Sequence, residues 1–213
     1  MKNFIKSLKR PDNEPLIEAI LEGYDAIFES KMMELQISPS ARIIMSKNPI
    51  RNIIDTKQQD RSSINHNKAS SYKPKGIWYG IGNEWLWFVY AGMPDWEGNY
   101  IYQIDIDYSN MLVMKDFDKL KSFTETYKYD PAPLNTIKNN FYPIGVTDIK
   151  WNTVSEQYDG IEINPLVHDA RKKIAWYNSW DVASGCIWKA SVIKNIKLLF
   201  KKEDDEWISA NNN

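Results

Sequence analysis

The pattern of apolar and polar residues predicts an α+β fold, with short strands dominating the second half of the chain and antiparallel hairpins among them. Three observations carry that expectation. Leu16, Ile17, Ile20, Leu21, Tyr24, Ile27 and Phe28 recur at three- and four-residue steps, the period of one helix face. Tyr100, Tyr102, Ile104 and Ile106 alternate with Ile101, Gln103, Asp105 and Asp107, the two-residue period of a strand. Short β-prone runs at 41–45, 76–79, 161–163, 186–188 and 196–200 are separated by segments rich in Gly, Pro, Ser and Asn, which read as turns and loops.

Taken in order, residues 1–14 are polar, and Pro15 suits the first turn of the helix that follows. That helix ends before Ser38-Pro39, because proline disfavours helix in the residue ahead of it. Ser46-Lys47-Asn48-Pro49 turns the chain after the first short strand. Residues 55–72 hold few apolar groups and read as a long surface loop. The strand at 76–79 is followed by a Gly80-Ile81-Gly82-Asn83 turn and the aromatic run 85–90. The alternating strand at 100–107 turns at Ser109-Asn110 into 111–114, which predicts a hairpin. Phe117, Leu120 and Phe123 predict a helix to about Tyr127. Three prolines make 130–143 a loop. Ile149, Val154 and Tyr158 predict a short helix with Asp148 as its N-cap. From Lys201 the chain is charged and then rich in Asn, which reads as a frayed tail over 201–213.

Composition narrows the function classes. The hydrophobic fraction of 43% suits a packed core. A formal net charge of −1 argues against a general electrostatic footprint for nucleic acid or an anionic membrane. No apolar run is long enough to span a bilayer, no secretory h-region follows the basic start, and the one cysteine, Cys186, fits a reducing compartment as a small buried hydrophobe. A cytoplasmic protein is expected. His66 and His168 lack neighbouring ligands, so no zinc site is expected. Asp105 and Asp107 read as the solvated face of their strand rather than as metal ligands.

Two carboxylates stand out. Asp181 lies in the run WYNSWDVASGCIW, 176–188, where three tryptophans and a tyrosine surround it and a Gly185 corner follows. Glu162 is flanked by Ile161 and Ile163 in a short strand. If both faces of that strand are covered, its carboxylate requires a partner or a ligand. Either acid could stabilise a developing cation, and either could be a hydrogen-bonded structural group.

The order of these pieces resembles the ADP-ribosyltransferase superfamily, in particular its small phage-type and polyvalent-toxin members. The likeness rests on a first strand with Arg42 and Ser46, on Lys75-Gly76-Ile77-Trp78-Tyr79, on Tyr102-Gln103-Ile104-Asp105-Ile106-Asp107, on Tyr158-Asp159-Gly160-Ile161, and on Asp181 ahead of Gly185-Cys186-Ile187-Trp188. It covers roughly 40–200. It implies a single domain over 1–213, built on two packed antiparallel β-sheets with peripheral helices and an N-terminal helical element at 1–39. It further implies NAD as substrate and a macromolecular acceptor, with protein as the expected class. Asp181 and Glu162 would be the catalytic acids, Asp181 ahead of Glu162 because the glycine corner after it lets the backbone bring it close to a ligand, and Arg42, Ser46, Trp78, Tyr79 and Trp85 would hold the dinucleotide. A phage-encoded member would act in the host cytoplasm. The family's first-strand His or Arg has no clean equivalent: Met45-Ser46 stands there, with Arg42 and Arg51 as substitutes. That departure keeps a second class open, a non-catalytic interaction or structural protein, of viral type, that uses an aromatic surface. Single-strand nucleic-acid binding through aromatics and lysines is a third class, against which the near-neutral charge counts.

Overall fold

The computed structural model describes residues 35–51, 73–128 and 149–210. The helical stripe at 16–28, the polar loop at 55–72 with His66, the loop at 130–143 and the cap at Asp148 lie outside the described residues. Eight strands are described: β1 (Arg42–Ser46), β2 (Ile77–Ile81), β3 (Tyr100–Ile106), β4 (Met111–Met114), β5 (Gly160–Ile163), β6 (Ser184–Ile187), β7 (Ile193–Glu203) and β8 (Glu206–Ser209). Four α-helices accompany them: α1 (Glu84–Gly92), α2 (Phe117–Tyr127), α3 (Trp151–Gln157) and α4 (His168–Arg171). The fold is mixed α and β, compatible with the α+β expectation. The strands form one sheet in the order β4-β5-β6-β2-β1-β3-β7-β8, where two packed sheets were expected.

The described residues group into two compact units. One holds 35–50, 80–104 and 196–210. In it β1 pairs antiparallel with β2 and with β3, Ile43 lying opposite both Gly80 and Gln103. Leu35, Ile37, Ala41, Ile43, Leu86, Ile101 and Phe200 form its core. The run 85–90 is the body of α1, so its aromatics project around a helix rather than along a strand. β7 and β8 pair from Phe200↔Ser209 to Glu203↔Glu206, which corrects the frayed-tail expectation over 201–209. Asp204 and Asp205 take φ of 48° and 69° at the turn, a region that Asp tolerates better than most side chains. The charged residues there run consecutively from Lys201 to Glu206 around the tip of a two-stranded ribbon, a composition that sequence polarity alone does not separate from a disordered tail.

The second unit holds 51, 73–79, 105–128 and 149–195. β4 pairs parallel with β5, and β5 antiparallel with β6. The expected hairpin between 100–107 and 111–114 is not formed. β3 already has strand neighbours along both edges, and its continuation is held by the Asp107 amide donating to the Val192 carbonyl at 2.9 Å. β4 therefore pairs elsewhere and puts Met114 level with Ile163. The helix expected near 117 is α2, capped by Asp116, whose carboxylate accepts from the Lys119 amide at 2.8 Å.

The core of this unit is aromatic. Trp176, Tyr177, Trp180 and Trp188 are buried with Phe123, Trp151, Ile161, Ile163 and Cys186. Ring centroids of Phe123, Trp151, Trp176 and Trp180 lie 5.4–5.8 Å apart in tilted and edge-on pairs, the separations that aromatic quadrupoles prefer. Removing such a side chain from water stabilises by an upper bound of roughly 4–6 kcal/mol each. Two of the buried indole N–H groups find acceptors, Trp176 donating to Thr124 at 2.8 Å and Trp188 to the Tyr158 carbonyl at 2.5 Å, whereas the buried Trp180 indole N–H has none among the described residues. The tryptophans at 176, 180 and 188 thus form the core rather than the wall of a site.

Candidate functional site: a buried carboxylate under two tyrosines

Glu162 is fixed by the register of β5. It lies level with Val113 of β4 and Gly185 of β6. Its neighbours Ile161 and Ile163 point into the aromatic core, so strand alternation turns Glu162 to the opposite face. That face is covered as well, and Glu162 is only 2% exposed. An isolated charge so placed would be costly. The structure supplies two donors: the Tyr79 hydroxyl donates to Glu162 Oε2 at 2.9 Å and the Tyr108 hydroxyl to the same oxygen at 2.5 Å. One carboxylate oxygen has lone pairs for both, and hydrogen bonds to an ionised acceptor are the strong ones.

The two tyrosines arrive from different elements. Tyr79 belongs to β2, where Trp78 packs on the aromatic core and alternation sends Tyr79 to the face of Glu162. Its ring crosses β6 at Gly185, where a Cβ would lie 2.2 Å from the Tyr79 Cζ and Oη. Glycine at 185 makes the close approach of the phenol feasible. Burial, then the Glu162 charge and the neighbouring Tyr108, push the Tyr79 phenol well above its ordinary pKa, so it remains a proton donor at neutral pH. Tyr108 stands in the turn between β3 and β4. Asp107 pins that turn by accepting from the Ser109 amide at 3.0 Å and pairing with Lys194 at 3.0 Å. The Ser109 amide, then the Lys194 ammonium, hold the Asp107 carboxyl down to about 2.

Asp181 has different company. Its carboxylate pairs with Arg171 of α4 at 3.1 Å and with Lys73 at 3.8 Å. The Lys73 ammonium lies 5.4 Å from the Trp78 ring centre and 6.0 Å from that of Trp180, within reach of a cation–π attraction. Burial lowers the Lys73 pKa, Asp181 draws it back up, and Arg171 pushes it down. Trp78 and Trp180, 4.9 Å apart, belong to the aromatic core, whereas Tyr79 reaches the other face. Asp181 and Glu162 therefore serve different clusters and do not form a paired-acid site. Asp181 acts as the counter-ion of two cations.

The remaining expected residues lie in the other unit. The Arg42 guanidinium donates to the Ser40 carbonyl at 2.5 Å, and the Ser46 hydroxyl donates to the Asn48 carbonyl at 2.7 Å. Trp85 stacks near Phe88 at 5.7 Å and Trp96 at 6.0 Å. Of the seven expected site residues, Tyr79 and Glu162 are joined by a hydrogen bond. Sequence reasoning passed over Tyr108. The available signal was an aromatic residue set between Asp107 and Ser109-Asn110, in a turn that offers no apolar period to bury it.

No family model, no curated protein and no solved structure matches this chain. No helix among the described residues is long and apolar enough to cross a membrane.

Proposed function

We propose that the chain transfers ADP-ribose from NAD to a macromolecular acceptor, with Glu162 as the working acid. The single observation that carries this reading is the Glu162 carboxylate, withdrawn from water and held on one oxygen by two tyrosine hydroxyls. Breaking the nicotinamide–ribose bond sends the bonding pair to the pyridinium nitrogen, releases neutral nicotinamide and leaves positive charge on the ribose. A fixed carboxylate stabilises that cation, as in glycoside hydrolysis, and does so more strongly away from bulk water. The acceptor's nucleophile then bonds to the ribose carbon and loses its proton. Tyr79 and Tyr108 keep the carboxylate in one orientation, so little reorganisation accompanies the appearance of charge. The order of sequence motifs supports NAD as the donor. The Asp181 cluster has a structural role in this reading.

A second reading, a non-catalytic interaction protein, is favoured by one observation: Trp96 is 53% exposed beside Trp85. Thermal unfolding with and without millimolar NAD separates the two. A ligand bound only by the folded state raises Tm, by about 2.7 kcal/mol of stability at a hundredfold excess over Kd. A rise in Tm with NAD supports the transferase. An unchanged Tm supports the interaction protein.

A further inference from the structure

We infer that Tyr108 is the residue that both positions the Glu162 carboxylate and controls access to it; the catalytic half of this inference rests on the transferase reading, and the access half does not. The three groups of the cluster differ in how they are held. Glu162 sits on β5, paired along both edges, and is 2% exposed. Tyr79 is 3% exposed and is wedged over Gly185, where even a methyl group would overlap its ring. Tyr108 alone of the three is exposed, at 38%, and it stands on a turn rather than a strand. The side chain that donates the shorter hydrogen bond to Glu162 is thus also the one that borders solvent. Of the three groups, Tyr108 is the one that a molecule in solution can touch.

The chemistry follows from that arrangement. In the resting state the Tyr108 hydroxyl occupies Oε2 jointly with Tyr79 and its ring shields the carboxylate. A substrate that places a cationic carbon near Glu162 tilts the ring aside on its turn while the Tyr108 hydroxyl keeps its hydrogen bond, so that both tyrosines hold the carboxylate oriented. Tyr108 is a positioning residue: it acts on the reacting atoms through Glu162.

Two variants separate the shield from the hydrogen bond. Tyr108→Ala removes both, and Tyr108→Phe removes only the hydroxyl. Carboxyl footprinting with a water-soluble carbodiimide and glycine ethyl ester, read by mass spectrometry at the Glu162 peptide on the full chain, reports access without requiring activity. The expected result is labelling at least about fivefold faster in Tyr108→Ala than in the parent, and within about twofold of the parent in Tyr108→Phe. Labelling in Tyr108→Ala at the parental rate overturns the inference. Circular dichroism confirms the fold of each variant; should Tyr108→Ala unfold, Tyr108→Ser replaces it under the same criterion. Nicotinamide release from NAD then tests the positioning role. Tyr108→Phe should lose roughly ten- to a hundredfold in kcat, the worth of one hydrogen bond to a charged group, with KM within about twofold. An unchanged kcat in Tyr108→Phe overturns positioning. A parent that releases no nicotinamide while the footprinting result holds overturns the transferase reading and leaves Tyr108 as the cover of Glu162.

Discussion

Gly185→Ala tests the geometry of the candidate site without touching any of its functional groups. The new methyl carbon would lie 2.2 Å from Cζ and Oη of Tyr79 and 2.7 Å from the Ile161 carbonyl oxygen. Carbon atoms in good contact sit about 3.5–4 Å apart, so the overlap exceeds what small shifts absorb. Tyr79 is enclosed and β6 is paired to β5, so the ring must leave its place and its hydroxyl must leave Glu162. Overpacking of this kind costs about 1–3 kcal/mol, and depriving a buried charged acceptor of a donor costs a comparable amount. A total loss of roughly 2–5 kcal/mol corresponds to roughly 4–20 °C in Tm for a chain of this size. Thermal unfolding followed by circular dichroism measures it. The partner of the clash is identified by repeating the substitution in a Tyr79→Leu background, where the end of the ring is gone. The cost should then fall by about half or more, a coupling expected only between groups in contact. A Gly185→Ala variant as stable as the parent, or one equally destabilised in both backgrounds, would refute this account of the Tyr79–Gly185 packing.

Two further outcomes follow from the same cluster and its neighbour. The Tyr79 phenol has its pKa raised in the folded state above the ordinary value of 10.0. Below pH 10 both states keep the proton. Above it the unfolded chain loses the proton first, so Tyr79 makes stability fall with rising pH by about 1.4 kcal/mol per unit. Urea unfolding at stepped pH between 10 and 11.5 should show that slope reduced in Tyr79→Phe, and equal slopes would contradict it. Asp181→Asn should cost about 1 kcal/mol or less, because the pair is partly exposed, and should leave nicotinamide release intact. It also removes the group that draws the Lys73 pKa upward, so Lys73 should acetylate faster at pH 8 to 9, as read by peptide mass spectrometry; an unchanged rate would separate Lys73 from Asp181.

Much of the fold was legible where one physical signal acted alone. The strand at 161–163, the helix ending at Tyr127 and the need of Glu162 for a partner all came from local pattern and burial. The failures have a common cause: sequence gives the character of a face but not what covers it. Trp176, Trp180 and Trp188 look the same in a list whether they line a site or fill a core, and only the tertiary packing around Phe123 decides. Residues 111–114 have the turn and composition of a hairpin partner for β3, yet edge occupancy, a property of the whole sheet, sends them to β5. The expectation that Asp181 is the leading acid rests on Gly185 bringing the backbone close to a ligand. Gly185 does permit a close approach, but by Tyr79. Tyr108 was unreadable because its role depends on Glu162, more than fifty residues downstream.

The central claim is that Glu162, and not Asp181, is the working acid, and nicotinamide release from NAD by Glu162→Gln and Asp181→Asn, measured beside the parent, tests it most directly. Glutamine keeps the shape of the side chain and an oxygen that can accept from Tyr79 and Tyr108, while removing the charge that stabilises the ribosyl cation. The expected result is a parent that releases nicotinamide, a Glu162→Gln variant that folds but has lost at least about a hundredfold in kcat, the scale seen when one electrostatic contact to a transition state is removed, and an Asp181→Asn variant within about threefold of the parent. Parental turnover in Glu162→Gln, or a collapse of turnover in a folded Asp181→Asn, would contradict it.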